Sequence, residues 1–226
     1  KRLTIPRSWP LPRKTTVWVT RPRAGAHSLE RCMPVNIIIR DVLGMAHSTR
    51  EVRRILHDGL VKVDGRIVKD TRRSVGIMDV LTLGEENFRC VLDTNGRLRY
   101  RPIPPEDASW KVCRIEGKST IKGGKTQIHL HDGRNIIVGD ASEHKSGDSV
   151  KISLPEQEIM EHIKFGEGTR CMLIGGIHVG KLADVKNYIV KRSSLANEVE
   201  FDGFGTTTNN VFTVGNCSLP GVEVSN

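Results

Sequence analysis

"STREVRRILHDGLVKVDGRIV", residues 48–68, changes its period halfway along, and that change decides the fold. Ser48 followed by Glu51 is a capping box, in which side chains satisfy the free N–H groups of a helix start. Gly59 supplies the stop, because helices commonly end on a left-handed residue that glycine adopts without strain. At about 100° per residue, Val52, Ile55 and Leu56 share one face. Arg50, Arg53, Arg54 and His57 share the opposite face with no acid among them. A solvated charged face and a phosphate contact both fit that stripe. From Leu60 onward the texture is that of strands. Asp64-Gly65 between β-formers predicts a hairpin, since a type I′ turn needs positive φ at both central residues. Strict pairing sets Val63 opposite Arg66, so the alternation is not clean. Lys62, Arg66, Lys69, Arg72 and Arg73 crowd this hairpin.

Upstream, "PVNIIIRDVLG" (34–44) predicts a short helix with Asn36 as cap, Ile38 and Val42 on one face, and Gly44 as stop. "RSWPLPRKTTVWVTRPRAGAH" (7–27) follows neither period and has no acidic side chain. Residues 1–35 hold eight Lys or Arg against one acid, Glu30. A basic, proline-rich segment of this kind cannot alone bury enough apolar surface to offset its ordering entropy. Two readings stand: a solvated extension without a specific partner, or an arm that nucleic acid orders. In the second, arginine forks bond phosphate oxygens while Trp9 and Trp18 stack on unpaired bases.

The remaining segments carry little of the surplus. Net charge is +2 over 36–90, +1 over 91–160 and −1 over 161–226, against +9 for all 226 residues. A basic surface attracts polyanions through Coulomb forces and counterion release, so nucleic acid leads as partner and an anionic membrane follows. Apolar runs such as Ile37–Ile39 fall far short of the roughly 20 residues that span a bilayer. No N-terminal apolar core of the secretory kind is present. The chain starts at Lys1 rather than Met, so trimming of a few leading residues is expected. Cys32, Cys90, Cys113, Cys171 and Cys217 lie tens of residues apart, which fits buried reduced thiols better than a disulfide framework or a zinc ribbon.

Residues 91–160 contain short β-like pieces, "WKVCRIEG", "TQIHLHDG", "NIIVGD" and "DSVKISLP", whose turn signals suggest a small barrel or curled sheet. "KSTIKGGK" sets Lys118, Lys122 and Lys125 around Gly123-Gly124, either a phosphate-approaching loop or a flexible hairpin. His129 and His131 are expected to be ordinary strand histidines, with no metal. Gly175, Gly180 and Lys181 imitate a nucleotide-binding P-loop until Leu182, which stands where Ser or Thr must ligate magnesium. Nucleotide hydrolysis is therefore rejected.

Two helices, the "VKVDG" hairpin and "GIMDVLTLG" resemble the small RNA-binding module found in ribosomal protein four, tyrosyl-tRNA synthetases and many pseudouridine synthases. "KRLTIPRSWPLPRK", "IIIRDVLG", "VGIMDVL", "GKSTIKGGKTQIHLHDGRNI" and "GDSVKISLP", in that order, resemble a single family across essentially the whole chain. It is the archaeal and eukaryotic small-subunit ribosomal protein four of the "four-e" type, and this chain looks like an archaeal member. "GEGTRCMLIGGIHVGKLADVKNYIV" is similar to the KOW motif, a glycine-hinged hairpin in an SH3-like barrel in which Gly176 and Gly180 permit tight turning and approach to RNA.

The resemblance implies an α+β, mainly β protein. Its expected parts are a basic arm (1–35), an αα-plus-hairpin RNA-binding module (36–90), a central β-barrel-like domain (91–160), an SH3-like KOW barrel (161–216) and a tail (217–226). It implies a structural component of the small ribosomal subunit, cytoplasmic, that binds 16S-type rRNA and supports assembly and translation. Partners would be rRNA and neighbouring small-subunit proteins, with no membrane, small-molecule substrate or cofactor. The RNA-contacting set would be Lys1, Arg2, Arg7, Trp9, Arg13, Lys14, Trp18, Arg21 and Arg23 in the arm. The module would add Arg50, Arg53, Arg54, Lys62, Arg66, Lys69, Arg72 and Arg73. Lys118, Lys122, Lys125, Arg134, Gly176, Gly180 and Lys181 would follow in the β domains. A pseudouridine synthase needs a large catalytic domain for which the chain has no room. A free elongation-factor-like regulator has no reason for the arm.

Overall fold

The computed structural model describes residues 1–139, 142–217 and 219–220. Most of the expected tail, 217–226, lies outside the described residues. Contacts divide the chain into two compact units. The first comprises Lys1–Val91, Arg97–Lys111 and Leu154–Glu156; the second comprises Leu92–Gly96, Val112–Ser153 and the described residues from Gln157 onward. The protein is α+β and mainly β, with its one full α-helix at Thr49–His57 among the described residues.

In the first unit that helix begins and ends where its sequence dictates. The Ser48 hydroxyl accepts from Glu51 N at 3.3 Å, and Glu51 Oε2 accepts from His47 N at 2.8 Å. Val52 and Leu56 are fully buried and Gly59 closes the helix at φ +74°. The hairpin Val61–Val63/Arg66–Ile67 pairs Val63 with Arg66 across a turn whose Asp64 and Gly65 both have positive φ, 51° and 77°. These strands edge a five-stranded sheet that continues through Val80–Leu83, Glu86–Leu92 and Leu98–Ile103. A two-stranded antiparallel ladder joins Cys32–Pro34 to Ser74–Gly76.

The expected helix over 34–44 takes another form. A single α turn, Val35–Ile37, runs into a π-helical stretch, Ile38–Val42, where Leu43 N bonds Ile38 O at 2.9 Å. Ile37, Ile38 and Ile39 are all buried, and a regular α-helix turns three consecutive residues toward different sides. Asn36 does not cap. It is buried, and its Nδ2 donates to Thr20 Oγ1 at 2.7 Å and Thr49 Oγ1 at 3.3 Å.

A buried charge network ties this unit together. Lys111, with a fully buried side chain, donates from Nζ to Asp64 Oδ2 at 3.1 Å and to Asp79 Oδ1. Asp79 Oδ2 also accepts from Gly76 N and lies 2.8 Å from His27 Nε2. Burial alone pushes the Asp79 carboxyl up, but the charges of His27 and Lys111 and these hydrogen bonds outweigh it and hold it well below the usual carboxylate range. With the folded-state value below the unfolded one, Asp79 stabilises the fold above about pH 4, and that contribution is lost as pH falls further. Asp79→Asn is therefore expected to flatten the acid limb of the stability curve, read from denaturant midpoints on either side of about pH 4.

A second five-stranded sheet runs in the order Asn135–Val138, Thr126–Leu130, Trp110–Thr120, Ser149–Ser153, Ile159–Ile163, and all of it but Trp110 and Lys111 belongs to the second unit. Cys113, Ile115, Ile128, Leu130, Val150 and Ile152 form its core. Two three-stranded sheets follow, one of Leu182–Asp184, Arg170–Leu173 and Val211–Thr213, the other of Asn187–Ile189, Glu198–Phe201 and Phe204–Thr207. They share a core around Leu173, Val185, Val199 and Phe201. Residues 175–181 connect two antiparallel strands, so the P-loop look-alike begins no helix.

Candidate nucleic-acid interface

The arm is irregular but folded, which corrects the expectation that it lacks a surface to fold on. Trp9 is buried at 4% exposure, and its Nε1 donates to Cys32 O at 2.8 Å. It anchors the arm and cannot stack on a base. Arg2 is likewise withdrawn: buried at 5% exposure, it donates from Nε to Pro12 O at 2.7 Å and from Nη1 to Thr16 Oγ1 at 3.2 Å. Backbone bonds from Arg2 N to Val17 O and from Leu98 N to Ser8 O pin the segment further. Composition hides this, because the contacts join residues far apart in sequence, from Arg2 to Val17, Trp9 to Cys32 and Ser8 to Leu98.

With Trp9 and Arg2 fixed inward, six other cations of the arm face out. Lys1, Arg7, Arg13, Lys14, Arg21 and Arg23 are exposed, and Trp18 presents an indole that is 72% exposed. Residues 21–27 then lie along the loop that precedes Ser74. Arg23 N donates to Arg72 O at 3.0 Å, and Arg72 Nε donates to Arg21 O at 3.1 Å. Between these segments opens a cleft of about 400 Å³ lined by Arg21, Arg23, His27, Cys32 and Arg72. Asp70 lies 3.2 Å from Arg23 Nε, and its Oδ1 accepts from Arg72 N. The cleft is thus lined by three arginines from two segments about fifty positions apart in the chain, with Asp70 paired to one of them. Such a fork array suits a phosphate, which accepts bidentate bonds.

Elsewhere in this unit Arg50, Arg53, Arg54 and His57 lie along the helix, opposite buried Val52 and Leu56. Lys62, Arg66, Lys69 and Arg73 are exposed on and after the hairpin. Arg97, Arg99 and Arg101 were not among the expected contacts. They alternate with buried Leu98 and Tyr100, and Arg97 and Arg101 are exposed. The period of two in "RLRYR" was the available signal. Arg89, by contrast, is buried, its guanidinium 4.0 Å from the Trp110 ring centroid and bonded to Asp107 O and Trp110 O.

In the second unit Lys118, Lys122 and Lys125 are exposed on the hairpin whose turn contains Gly123 and Gly124, and Lys118 Nζ donates to His144 O. Arg134 is mostly spent inside the protein, its Nε 3.0 Å from Asp132 with a side chain 16% exposed. Gly176 is exposed at φ +83°, and Lys181 is half-buried. Gly180 is buried, and a Cβ there would lie 2.4 Å from Asp93 O, so its bare Cα admits the protein's own backbone rather than RNA. Ligand atoms of Cys113, His131 and Asp132 lie within 4.8 Å of one another, as a metal site would require. Arg134 already pairs with that carboxylate, and His131 Nδ1 accepts from Arg114 N at 3.2 Å.

Comparison with known proteins follows this geometry along the chain. The RS4NT domain matches residues 1–30, the S4 domain residues 33–81, and Ribosomal family S4e residues 84–159. Small ribosomal subunit protein eS4 of Methanocella arvoryzae is 39% identical over 229 residues, covering 99% of this chain and 96% of that protein. Its namesake from Methanothermobacter thermautotrophicus is 40% identical over 232 residues, with 98% and 95% covered. The crystal structure of the 30S ribosomal protein S4e from Thermoplasma acidophilum superposes with a TM-score of 0.73 at 34% identity, covering 82% of this chain and 95% of that one.

Proposed function

The chain belongs to the ribosomal S4e family, and from that premise we propose that the cleft of Arg21, Arg23 and Arg72 is a principal phosphate contact on rRNA. The protein is a structural component of the small ribosomal subunit, with rRNA and neighbouring subunit proteins as its partners. We read it as a binding component without catalysis. Its proposed functional parts are the arm (1–35), the RNA-binding module (36–90), the central β domain (91–160), the KOW barrel (161–216) and the tail (217–226). The exposed cations of the arm, the helix, the hairpin and the Gly123-Gly124 turn form the rest of the proposed RNA-facing set.

One observation carries the choice of cleft: two segments distant in sequence are clipped together by hydrogen bonds to main-chain carbonyls, and three exposed arginines from them line the same cleft. A solvated basic extension would have no cause for such an arrangement.

Replacing Arg21, Arg23 and Arg72 together with Gln is expected to weaken filter binding of small-subunit rRNA. It should also flatten the dependence of log K on log salt by up to about 0.9 for each phosphate no longer neutralised, if the duplex DNA slope carries over. An unchanged slope would remove the cleft from the interface. Arg50, Arg53 and Arg54 changed together to Ala should cost roughly 1.5–3 kcal/mol for each charged interaction removed, less than additively. Helix content by circular dichroism should hold, because Ala has the higher helix propensity. Loss of fold would mark the stripe as structural.

A further inference from the structure

A second concavity lies in the other unit and contains none of the cations proposed to face RNA. It measures about 270 Å³ and opens beside Ile115 and Glu116, at the irregularity in the middle of strand Trp110–Thr120. Its apolar side is formed by Ile115, Val211 and the edge-to-face pair Phe165 and Tyr188, whose ring centroids lie 5.2 Å apart. Its polar rim holds Ser146, Asn197 and Asn209.

The charge here is cancelled rather than concentrated. Arg114, buried, donates from Nε to Glu116 Oε1 at 3.0 Å, from Nη2 to Glu116 Oε2 at 2.9 Å, and from Nη1 to Val211 O at 2.7 Å. The guanidinium therefore stiffens the walls and has its charge matched by Glu116 in place. Tyr188 Oη accepts from Asn197 Nδ2 at 2.6 Å, which fixes the aromatic wall as well. A phosphate would meet no uncompensated cation among these lining groups. A flat, neutral group with hydrogen-bonding edges meets an aromatic wall, the exposed Asn209 amide, which can donate and accept, and the Ser146 hydroxyl, which gives its proton to Glu116 O at 2.7 Å and so offers its oxygen as an acceptor. The volume lies just below the ~300–1,000 Å³ typical of small-molecule sites, so it suits one planar ring system.

We infer that this cleft receives an unstacked nucleobase, read along its edge by Asn209 and Ser146 and covered by Tyr188. The inference rests on the RNA-binding reading, since an unpaired base of the bound RNA is the group that would enter. Unpaired bases in RNA are recognised in this way, by an aromatic surface and polar contacts to their edges.

The test is a titration of the full chain with each of the four nucleoside 5′-monophosphates and, in parallel, with ribose 5-phosphate. The readout is the backbone amide shifts of Ser146, Gly147, Asn197 and Asn209. At least one base-bearing ligand should move these amides saturably while ribose 5-phosphate leaves them in place. Asn209→Ala should weaken that binding roughly threefold to tenfold, the loss of one hydrogen bond. Shifts that ribose 5-phosphate reproduces, or no shifts with any of the ligands, overturn the inference. Filter binding of rRNA by the same preparation separates this failure from that of the RNA reading, which would remain intact if retention persisted.

Discussion

Lys111→Met is expected to destabilise the first unit by about 3–5 kcal/mol, the usual cost of removing one partner from a buried ion pair. The methylene stem of Met fills most of the space, so the loss is electrostatic rather than a cavity. What remains is two buried carboxylates, Asp64 and Asp79, deprived of the ammonium that both touch. Asp64 has no easy escape, because its Oδ1 also accepts from Val80 N and its backbone forms the first corner of the hairpin turn. Asp79→Asn added to Lys111→Met should recover part of the loss, since the two sites share one network. The measurement is denaturant unfolding followed by tryptophan fluorescence. Trp9, Trp18 and Trp110 all lie in the first unit, so the signal reports that unit alone. A loss below about 1 kcal/mol would mean that water relieves the carboxylates and that the network is incidental.

Trp9→Ala should cost about as much, roughly 3–5 kcal/mol for a large buried aromatic. Its consequences should concentrate in the arm. Trp9 joins the arm to Cys32, while Arg2 and Ser8 hold the chain on either side. Without the indole, trypsin should cut at Arg7, Arg13 and Lys14 at concentrations that spare the intact protein. Trp9→Phe keeps most of the packing and loses the hydrogen bond to Cys32 O, so it should cost less. If Trp9→Ala left both protease resistance and stability unchanged, the arm would be the solvated extension that its composition suggests. Deleting residues 1–35 outright would be a poor probe of RNA affinity, because it also removes Trp9, Met33 and Val35 from the core.

The helix and the hairpin were legible because their signals are local. Ser48 with Glu51, Gly59, and Asp64-Gly65 each state a backbone requirement within a few residues, and each is met. The stripe of Arg50, Arg53, Arg54 and His57 followed from helical period alone. The arm was misjudged because what holds it lies far along the chain from the residues it holds, in Cys32 at its own far end and in Arg72 and Leu98 beyond it. No window of sequence distinguishes Arg2, folded back onto Pro12 and Thr16, from Arg7, which faces solvent.

Asp64 shows the same limit from the other side. Its place in an Asp-Gly turn gave a sufficient reason for the residue, yet its carboxylate also binds a lysine 47 positions away. Gly180 looked like a hinge for RNA and proves to make room for Asp93. Arg21, Arg23 and Arg72 were each legible as basic residues, but no local signal showed that the bonds between residues 21–23 and Arg72, beside the ladder of Cys32–Pro34 with Ser74–Gly76, set the two walls of their cleft side by side.

The most direct measurement is sedimentation of a native-host lysate through a high-salt sucrose gradient, with fractions probed for the intact chain and for the Arg21/Arg23/Arg72→Gln variant. The intact chain should migrate in stoichiometric amount with the small subunit, and the variant should shift toward the top as salt rises. Recovery of the intact chain at the top of the gradient would contradict its place in the subunit. Identical profiles for the two proteins would contradict the cleft as the point where rRNA is held.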